Sequence, residues 1–234
     1  MAIYAIADLH LSFKEPKPMN IFGDNWENHE KKIKNNWEKI VEDDDIVLLP
    51  GDFSWATYLE DAYLDFEYLD NLPGKKIMLK GNHDYWWTTV TSMKKYLTEN
   101  NFKTINFLYN NSYFFDDYII VGTRGWGLKD EQQDQKIINR ELGRLEMSIK
   151  DGIQKYGGDK KILVCMHYPP VTKSIINDEE NYMFINLMKK YKVNRCIYGH
   201  LHGKSQEEAI AGDFKGIKLE LVSSDYLDFN PIKI

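Results

Sequence analysis

Short runs of apolar residues alternate along the chain with longer segments in which apolar residues recur every three or four positions. The short runs predict buried strands, and the longer segments predict amphipathic helices. Strands are predicted at residues 3–7, 46–49, 77–79, 161–166, 195–198 and 216–222. Helices are predicted at residues 28–41, 56–71, 88–99, 130–156 and 178–191, the third beginning near Thr88 as N-cap. This alternation predicts a layered α/β fold.

The segment of residues 102–126 has a different pattern. Its β-rich runs are broken by the pairs Asn110–Asn111 and Asp116–Asp117, which predicts antiparallel hairpins. Hairpins added to the alternating strands and helices predict mixed sheets. The chain has no internal repeat and no linker-like tract, so we expect one domain over residues 1–234.

Composition limits the possible partners and the cellular compartment. With 43% hydrophobic residues the chain can form a large core, and its formal charge of −6 gives no global attraction to nucleic acid or anionic lipid. We therefore expect neither a stable nucleic-acid complex nor a membrane partner. Cys165 and Cys196 lie in apolar runs and are expected to be reduced. The first residues do not resemble a signal peptide, and no run reaches membrane-spanning length, so the expected location is the cytoplasm.

Polar side chains follow five of the predicted strands, at the point where each strand ends. The residues concerned are Asp8 and His10, then Asp52, then Asn82, His83 and Asp84, then His167, and finally His200 and His202. Each group alone could be a cap or a turn. Five of the six histidines lie at these positions, however, and ligands in open α/β sheets gather beyond the carboxyl ends of strands. We therefore expect the five groups to meet in one cleft.

The types of side chain in these groups indicate a metal site. Imidazole, carboxylate and amide oxygen, without thiolate, suit Mn²⁺, Fe, Co²⁺ or Zn²⁺ rather than Ca²⁺ or a structural zinc. The set holds more donors than one ion needs, and two ions with a shared carboxylate fit the number. Two metals about 3.5–4 Å apart form the arrangement that is used for displacement at phosphorus.

The order D-x-H, G-D, G-N-H-D, H, G-H-x-H resembles that of the calcineurin-like metallophosphoesterase superfamily. These motifs run from residue 8 to residue 202. The strings GDFSWA, GNHDYWW, RGW and HYPP are similar to those of a bacterial subgroup of predicted phosphohydrolases. The resemblance implies an α/β fold in which two mixed β-sheets pack as a sandwich flanked by helices, in four αββα layers.

The resemblance also implies a role for each motif residue. The implied ligands are Asp8, His10 and His202 for the first metal, Asn82, His167 and His200 for the second, and Asp52 as the bridge between them. His83 would lie over the phosphate, and Asp84 would fix the tautomer of His83. The implied reaction is hydrolysis of a phosphomonoester or phosphodiester by attack of a metal-bound hydroxide, with two divalent ions (Mn, Fe, Zn or Co) as cofactors.

Two features leave the substrate open. Trp55 stands where many family members have an acidic residue or histidine, and no arginine follows the G-N-H-D motif. Arg124, Trp86 and Tyr168 are candidate substrate contacts. Core packing is the favoured alternative for the tryptophan, and a surface salt bridge is the alternative for the arginine.

The expected partner is a small-molecule phosphate ester, with a nucleotide as one candidate. The alternatives are a pyrophosphatase acting on a nucleotide-like or lipid-linked P–O–P bond, a non-catalytic binding scaffold, and a metal sensor or store. A scaffold should have lost ligands, whereas this sequence keeps every expected type. A sensor would not need His83 and Asp84. The sequence indicates neither the physiological metals nor the oligomeric state.

Overall fold

The computed structural model describes residues 1–127 and 132–234, with the backbone alone at residues 132–134. Within these residues the strands form two mixed sheets. The first sheet has the spatial order β11 (Ile232–Lys233), β1 (Ile3–Ala5), β2 (Ile46–Pro50), β3 (Lys75–Leu79) and β4 (Ile105–Phe107). Only the edge strand β11 is antiparallel to its neighbour, and the other pairs are parallel.

The second sheet combines a parallel centre with an antiparallel strand at each edge. Its order is β5 (Tyr113–Phe115), β6 (Tyr118–Thr123), β7 (Lys161–Met166), β8 (Arg195–Tyr198), β10 (Ile217–Leu221) and β9 (Gly212–Phe214). The four central strands β6, β7, β8 and β10 are parallel. The carboxyl ends of the parallel strands in this sheet therefore share one edge.

In the described part of the chain, five α-helices cover the outer faces of the two sheets. They are α1 (His29–Ile40), α2 (Tyr63–Asn71), α3 (Val90–Glu99), α4 (Gln132–Tyr156) and α5 (Met183–Lys190). The first three pack on the outer face of the first sheet, where Trp37, Phe66 and Met93 are fully buried. The last two pack on the outer face of the second sheet. The predicted four-layer sandwich with mixed sheets is thereby confirmed.

A separate apolar layer lies between the two sheets. Alternate residues of the strands point into it, among them Ala5, Leu48 and Ile77 from the first sheet and Leu163 and Ile197 from the second. The central strands are buried on both faces, so their sequences are continuous apolar runs rather than alternating ones. This layer fixes the two sheets relative to each other and so places the ends of β1–β3 beside the ends of β7 and β8.

The prediction of successive hairpins in residues 102–126 was partly wrong. The β5–β6 hairpin exists and turns at Asp116–Asp117, where Asp116 has φ +57°. Asn110–Asn111 is not a hairpin turn, because β4 pairs in parallel with β3 in the first sheet while β5 belongs to the second. The local signal of a turn was correct, but it marks the crossing between the sheets.

The predicted helices begin later than expected. Residues 59–62 form a 3₁₀ turn before α2, and residues 179–181 form one before α5. The N-cap of α3 is Thr89 rather than Thr88, and its hydroxyl accepts a hydrogen bond from the backbone N–H of Ser92. The helix predicted at residues 130–156 is observed from residue 132, and its first two positions lie outside the described residues. Among the described helices, none is both long enough and apolar enough to cross a bilayer.

Candidate active site

The polar groups that follow β1, β2, β3, β7 and β8 meet at one edge of the sandwich. His167, after β7 in the second sheet, joins the two halves of this cluster. Its Nδ1 lies 3.7 Å from Asp8 Oδ1, and its Nε2 lies 3.5 Å from Asp52 Oδ2, both on loops of the first sheet. The convergence expected from the strand ends is therefore present in the structure.

One group of donors consists of Asp8, His10 and His202, which are all buried. The Nε2 atoms of the two imidazoles face each other at 3.3 Å, and His202 Nε2 lies 3.5 Å from Asp8 Oδ1. A ligand atom from each of these residues lies within 4.8 Å of the others. This spacing can hold a single ion.

A second group of donors surrounds the amide oxygen of Asn82. Asn82 Oδ1 lies 2.6 Å from His167 Nε2 and 2.9 Å from His200 Nδ1. Asp52 connects this group to the first, because its Oδ2 lies 3.5 Å from His167 Nε2 and 3.8 Å from His10 Nε2. One carboxylate oxygen is thus placed between an imidazole of each group.

The hydrogen bonds of His167 show that its side of the site suits a cation. Its Nδ1 lies 3.0 Å from the carbonyl oxygen of Pro50, which can only accept, so Nδ1 carries the hydrogen. Burial lowers the pKa of His167 to about 3, and the ring is therefore neutral. Its Nε2 lone pair then points at the oxygens of Asn82 and Asp52. Three acceptors directed at one another repel unless a positive charge lies between them, so these residues fit a bound divalent ion.

The first group of donors, Asp8, His10 and His202, also needs positive charge, and here a proton on His202 supplies it. Burial lowers the pKa of His202, but the carboxylates of Asp8 and Asp225 outweigh this effect and raise the pKa to about 10. His10 remains neutral, because burial and the charge on His202 lower its pKa. A proton on His202 therefore occupies, in the metal-free protein, the region where the donor set would hold a cation.

The pKa values of Asp8 and Asp52 are shifted in opposite directions within this cluster. Burial alone would raise the pKa of Asp8, but His202, His167 and His10 lower it. Burial raises the pKa of Asp52, and the neighbouring charges of Asp84 and Asp8 raise it further. Asp52 is consequently the carboxylate that most needs added positive charge in order to ionise.

The backbone at the ligands has an uncommon conformation. Asp8, His10, Asp52 and His200 all have φ between +46° and +74°. Such left-handed conformations are rare for residues with side chains, although Asp and His are enriched in them, and they concentrate at functional sites. The strain is balanced by hydrogen bonds such as those from the backbone N–H of His200 to both carboxylate oxygens of Asp8, at 3.0 and 3.1 Å.

Two glycines allow the loops to approach each other closely. A Cβ on Gly81 would lie 2.0 Å from Asp52 Oδ1, and a Cβ on Gly199 would lie 2.4 Å from Asp8 Oδ2. Gly81 is not required by its backbone conformation, because its φ is not positive. Its function is close contact, since any side chain would displace the shared carboxylate.

The position of Asp84 contradicts its predicted role. Its carboxylate is fully buried and accepts five hydrogen bonds, from the backbone N–H groups of residues 52, 53, 54 and 81 and from Trp86 Nε1. The buried Nδ1 of His83 has no hydrogen-bond partner among the described residues. Asp84 therefore does not fix the tautomer of His83. It holds the Asp52 loop against the Gly81 loop, which sets the place of the shared carboxylate.

His83 lies at the open side of the donor groups. Its backbone N–H donates to Asp52 Oδ1 at 2.8 Å, and its ring centroid is 4.3 Å from that of Trp55 and 5.7 Å from that of His10. The ring of Trp55 also stacks on His10 at 5.0 Å, with Lys17 Nζ 5.0 Å from its centroid. The tryptophan that replaces the usual acidic residue or histidine thus packs on both imidazoles.

The three candidate substrate contacts have different environments. Trp86 is fully buried against Phe66, so the prediction that it contacts substrate was wrong, and the alternative of core packing was correct. Tyr168 is half-buried with its ring 4.2 Å from that of His200. Arg124 is half-buried, and its carbonyl accepts from the N–H of Tyr168 at 2.9 Å.

One residue of this site, Asp225, was not predicted from the sequence. Asp225 accepts from His202 Nδ1 at 2.8 Å and from the backbone N–H of Gly203 at 3.0 Å. Such a carboxylate orients a ligating imidazole and leaves its Nε2 free to bind. Asp225 comes four residues after β10, so the rule that found the other groups, a polar residue beyond a strand end, also applies to it.

Comparisons with known proteins agree with this geometry. A family model described as calcineurin-like phosphoesterase matches residues 1–204. The Gene 66 protein of Mycobacterium phage L5 is 28% identical over 78 residues, which is 33% of this chain and only 37% of that curated relative.

Two solved structures share the fold over nearly the full lengths of both chains. A protein of unknown function from Aquifex aeolicus, AQ665, is 18% identical with a TM-score of 0.51, and the match covers 99% of this chain and 95% of that one. The phosphopantetheinyl hydrolase PptH from Mycobacterium tuberculosis is 11% identical with a TM-score of 0.57, and the match covers 100% and 95%.

Proposed function

We propose that this chain, which belongs to the calcineurin-like phosphoesterase family, is a metal-dependent phosphoric ester hydrolase that acts on a small-molecule phosphate ester with two divalent cations. The observation that carries this proposal is the position of Asp52. One of its oxygens lies between His10 Nε2 at 3.8 Å and His167 Nε2 at 3.5 Å. A single carboxylate placed between two imidazole groups is suited to bridging a pair of ions.

The two groups of donors divide between the two ions. Asp8, His10 and His202 would hold one ion, and Asn82, His167 and His200 would hold the other. When bound, such ions lower the pKa of a water molecule and neutralise charge on the phosphate. The donors are imidazole, carboxylate and amide, which favours Mn²⁺, Fe, Co²⁺ or Zn²⁺.

His83 is the residue that we assign to proton transfer. Its half-buried ring faces the open side of the donor groups, and burial lowers its pKa, so it is neutral near pH 7. A neutral imidazole carries one N–H, which can donate to a phosphate oxygen or protonate the leaving oxygen. Trp55 restricts the orientation of this ring by packing against it at a tilt of 49°.

A second candidate is cleavage of a P–O–P bond, and one observation favours it. A cavity of about 250 Å³ that includes Arg124 in its lining lies beside the site, next to the backbone of His167. Basic side chains there would suit a substrate with a second phosphate. The two candidates differ in substrate and use the same metal ligands.

The test is a panel of metals and substrates. Chelator-treated protein is reloaded with Mn²⁺, Fe²⁺, Co²⁺ or Zn²⁺ and assayed with an aryl phosphate, a bis-aryl phosphate and a nucleoside diphosphate. We expect hydrolysis of at least one class with at least one metal and none after chelation. Asp44→Asn, a change at an exposed acidic residue, is the control for charge. Failure of every combination would refute the proposed activity.

A further inference from the structure

A basic cavity lies beside the candidate active site, at the end of β6, which is the neighbour of β7 in the second sheet. It has a volume of about 250 Å³, and its basic lining residues are Lys80, Arg124, Arg140 and Arg144. The chain has four arginines among its 30 basic residues, so three quarters of its arginines line this one cavity. Arginine is the side chain best suited to planar, bidentate binding of phosphate.

The positive charge in this basic cavity is only partly balanced. Glu141 is fully buried and accepts from Arg144 at 2.7 Å, from Arg140 at 3.3 Å and from the Thr123 hydroxyl at 2.6 Å. Among the residues whose side chains the structure describes, 1–127 and 135–234, no carboxylate forms an ion pair with Lys80. One buried carboxylate therefore faces four cationic side chains.

One donor of Arg124 in this cavity is not satisfied by the described residues. Its Nε is buried and has no hydrogen-bond acceptor among the described residues, while its guanidinium carbon lies 4.8 Å from the ring centroid of Trp126. A buried donor without an acceptor is unfavourable, and more so where the group is charged. An anion in the cavity would supply the missing acceptor.

The basic cavity is connected to the active site through the backbone. The carbonyl of Arg124 accepts from the N–H of His167 at 3.2 Å, and Lys80 comes two residues before Asn82. Lys80 and Arg124 follow β3 and β6, so they lie at the same edge of the sandwich as the donor groups. A substrate held at the donor groups could therefore extend toward these two side chains.

We propose that the basic cavity binds a phosphate group, and that this group is a second phosphoryl group of the substrate. Its assignment to the substrate rests on the proposed function. The volume is slightly below the roughly 300–1,000 Å³ of pockets for drug-sized ligands, which suits a small anion. The cavity would thus select bisphosphates or P–O–P compounds over simple monoesters.

The first experiment measures binding without catalysis. Metal-free protein is titrated with inorganic phosphate in a calorimeter at constant ionic strength. We expect one saturable site, weakened at least tenfold in Arg124→Gln and in Lys80→Met. Lys103→Met, at an exposed lysine away from the cavity, should bind as the wild type does. Absence of saturable binding in the wild type, or equal affinity in the cavity variants, would overturn the proposal.

A second experiment finds the source of the phosphate. In metal-loaded enzyme, KM is compared between a nucleoside diphosphate and an aryl phosphate. If the bound phosphate belongs to the substrate, KM for the nucleoside diphosphate divided by KM for the aryl phosphate rises about tenfold in each cavity variant. A constant ratio, with phosphate binding still lost in the calorimeter, would contradict the substrate assignment and leave a separate anion as the ligand.

Circular dichroism spectra establish that each variant is folded, and Lys80→Met decides the question if Arg124→Gln does not fold. The binding experiment uses metal-free protein, so its result is independent of whether the enzyme hydrolyses any ester. Inactivity of the metal-loaded wild type toward every substrate would refute the proposed function alone.

Discussion

Two neighbouring regions of this protein gather charge of opposite sign. In the candidate active site, Asp8 and Asp52 lie among imidazoles whose lone pairs converge. In the basic cavity, Arg124 and Lys80 lie near one buried carboxylate, that of Glu141, which already accepts hydrogen bonds from Arg140 and Arg144. Buried charge is costly unless it is paired. The sign of the unbalanced charge therefore indicates the ligand, which is a cation in the first region and an anion in the second.

The two regions also differ in how their side chains are held. Four of the predicted metal ligands have left-handed backbone conformations in short loops at the strand ends. The arginines at 140 and 144 instead extend from the regular helix α4. Short side chains on fixed loops give the exact distances that metals require, whereas long side chains on a helix can adjust to an anion. This comparison suggests that the first region performs the chemistry and the second contributes to selectivity.

The largest expected effect separates metal binding from chemistry within the first region. His83→Ala should lower kcat by a factor of about 10²–10⁴, because a positioned acid or base contributes that much. Metal content should stay at the wild-type level, since the ring is not part of either donor group. The measurement is kcat at saturating substrate together with elemental analysis. An unchanged kcat would refute the role of His83.

The next effect concerns Asp84, a carboxylate of the first region whose hydrogen bonds come from N–H groups of the protein rather than from a metal site. Asp84→Ala should lower the free energy of unfolding by about 3–5 kcal/mol, because five N–H donors lose their acceptor in a buried place. Urea denaturation of the metal-free protein measures this change, with Asp44→Ala as the exposed control. A loss below 1 kcal/mol would show that Asp84 does not hold the two loops together.

The smallest of these effects concerns the residue that supports His202. Asp225→Asn should weaken metal binding by about 10–100-fold, as is typical when the partner of a ligating imidazole is changed. The hydroxyl of Ser205 hydrogen-bonds to the backbone of His202, so Ser205→Ala, which removes only this hydroxyl, is the matched control. Competition with a chelator of known affinity measures both variants. Equal affinity in Asp225→Asn and the wild type would exclude this supporting role.

Much of the fold and of the donor set could be predicted from the sequence because both depend on local signals. Continuous apolar runs indicated the central strands, and a polar residue beyond each strand indicated the convergence at one edge. The role of Asp84 could not be predicted, and for Trp86 the sequence left substrate contact and core packing both open, because adjacent residues of one loop point in different directions and only the fold decides which becomes buried. The crossing at Asn110–Asn111 was missed for a similar reason, since a turn signal does not show which sheet receives the next strand.

The basic cavity was also beyond prediction from the sequence. Arg140 and Arg144 are one helical turn apart and appear as an ordinary polar face of α4. Lys80 and Arg124 lie 44 positions apart in sequence and meet only because β3 and β6 end at the same edge of the sandwich. A residue pattern along one element does not reveal such a meeting between elements.

The central claim is that the strand ends hold a pair of divalent cations around Asp52. The most direct measurement is the number of ions that chelator-treated protein takes up per chain, determined by calorimetry with Mn²⁺ or Zn²⁺ and by elemental analysis after dialysis. We predict two ions in the wild type and at least one fewer in Asp52→Asn. Fewer than two ions in the wild type, or an unchanged number in Asp52→Asn, would contradict the claim.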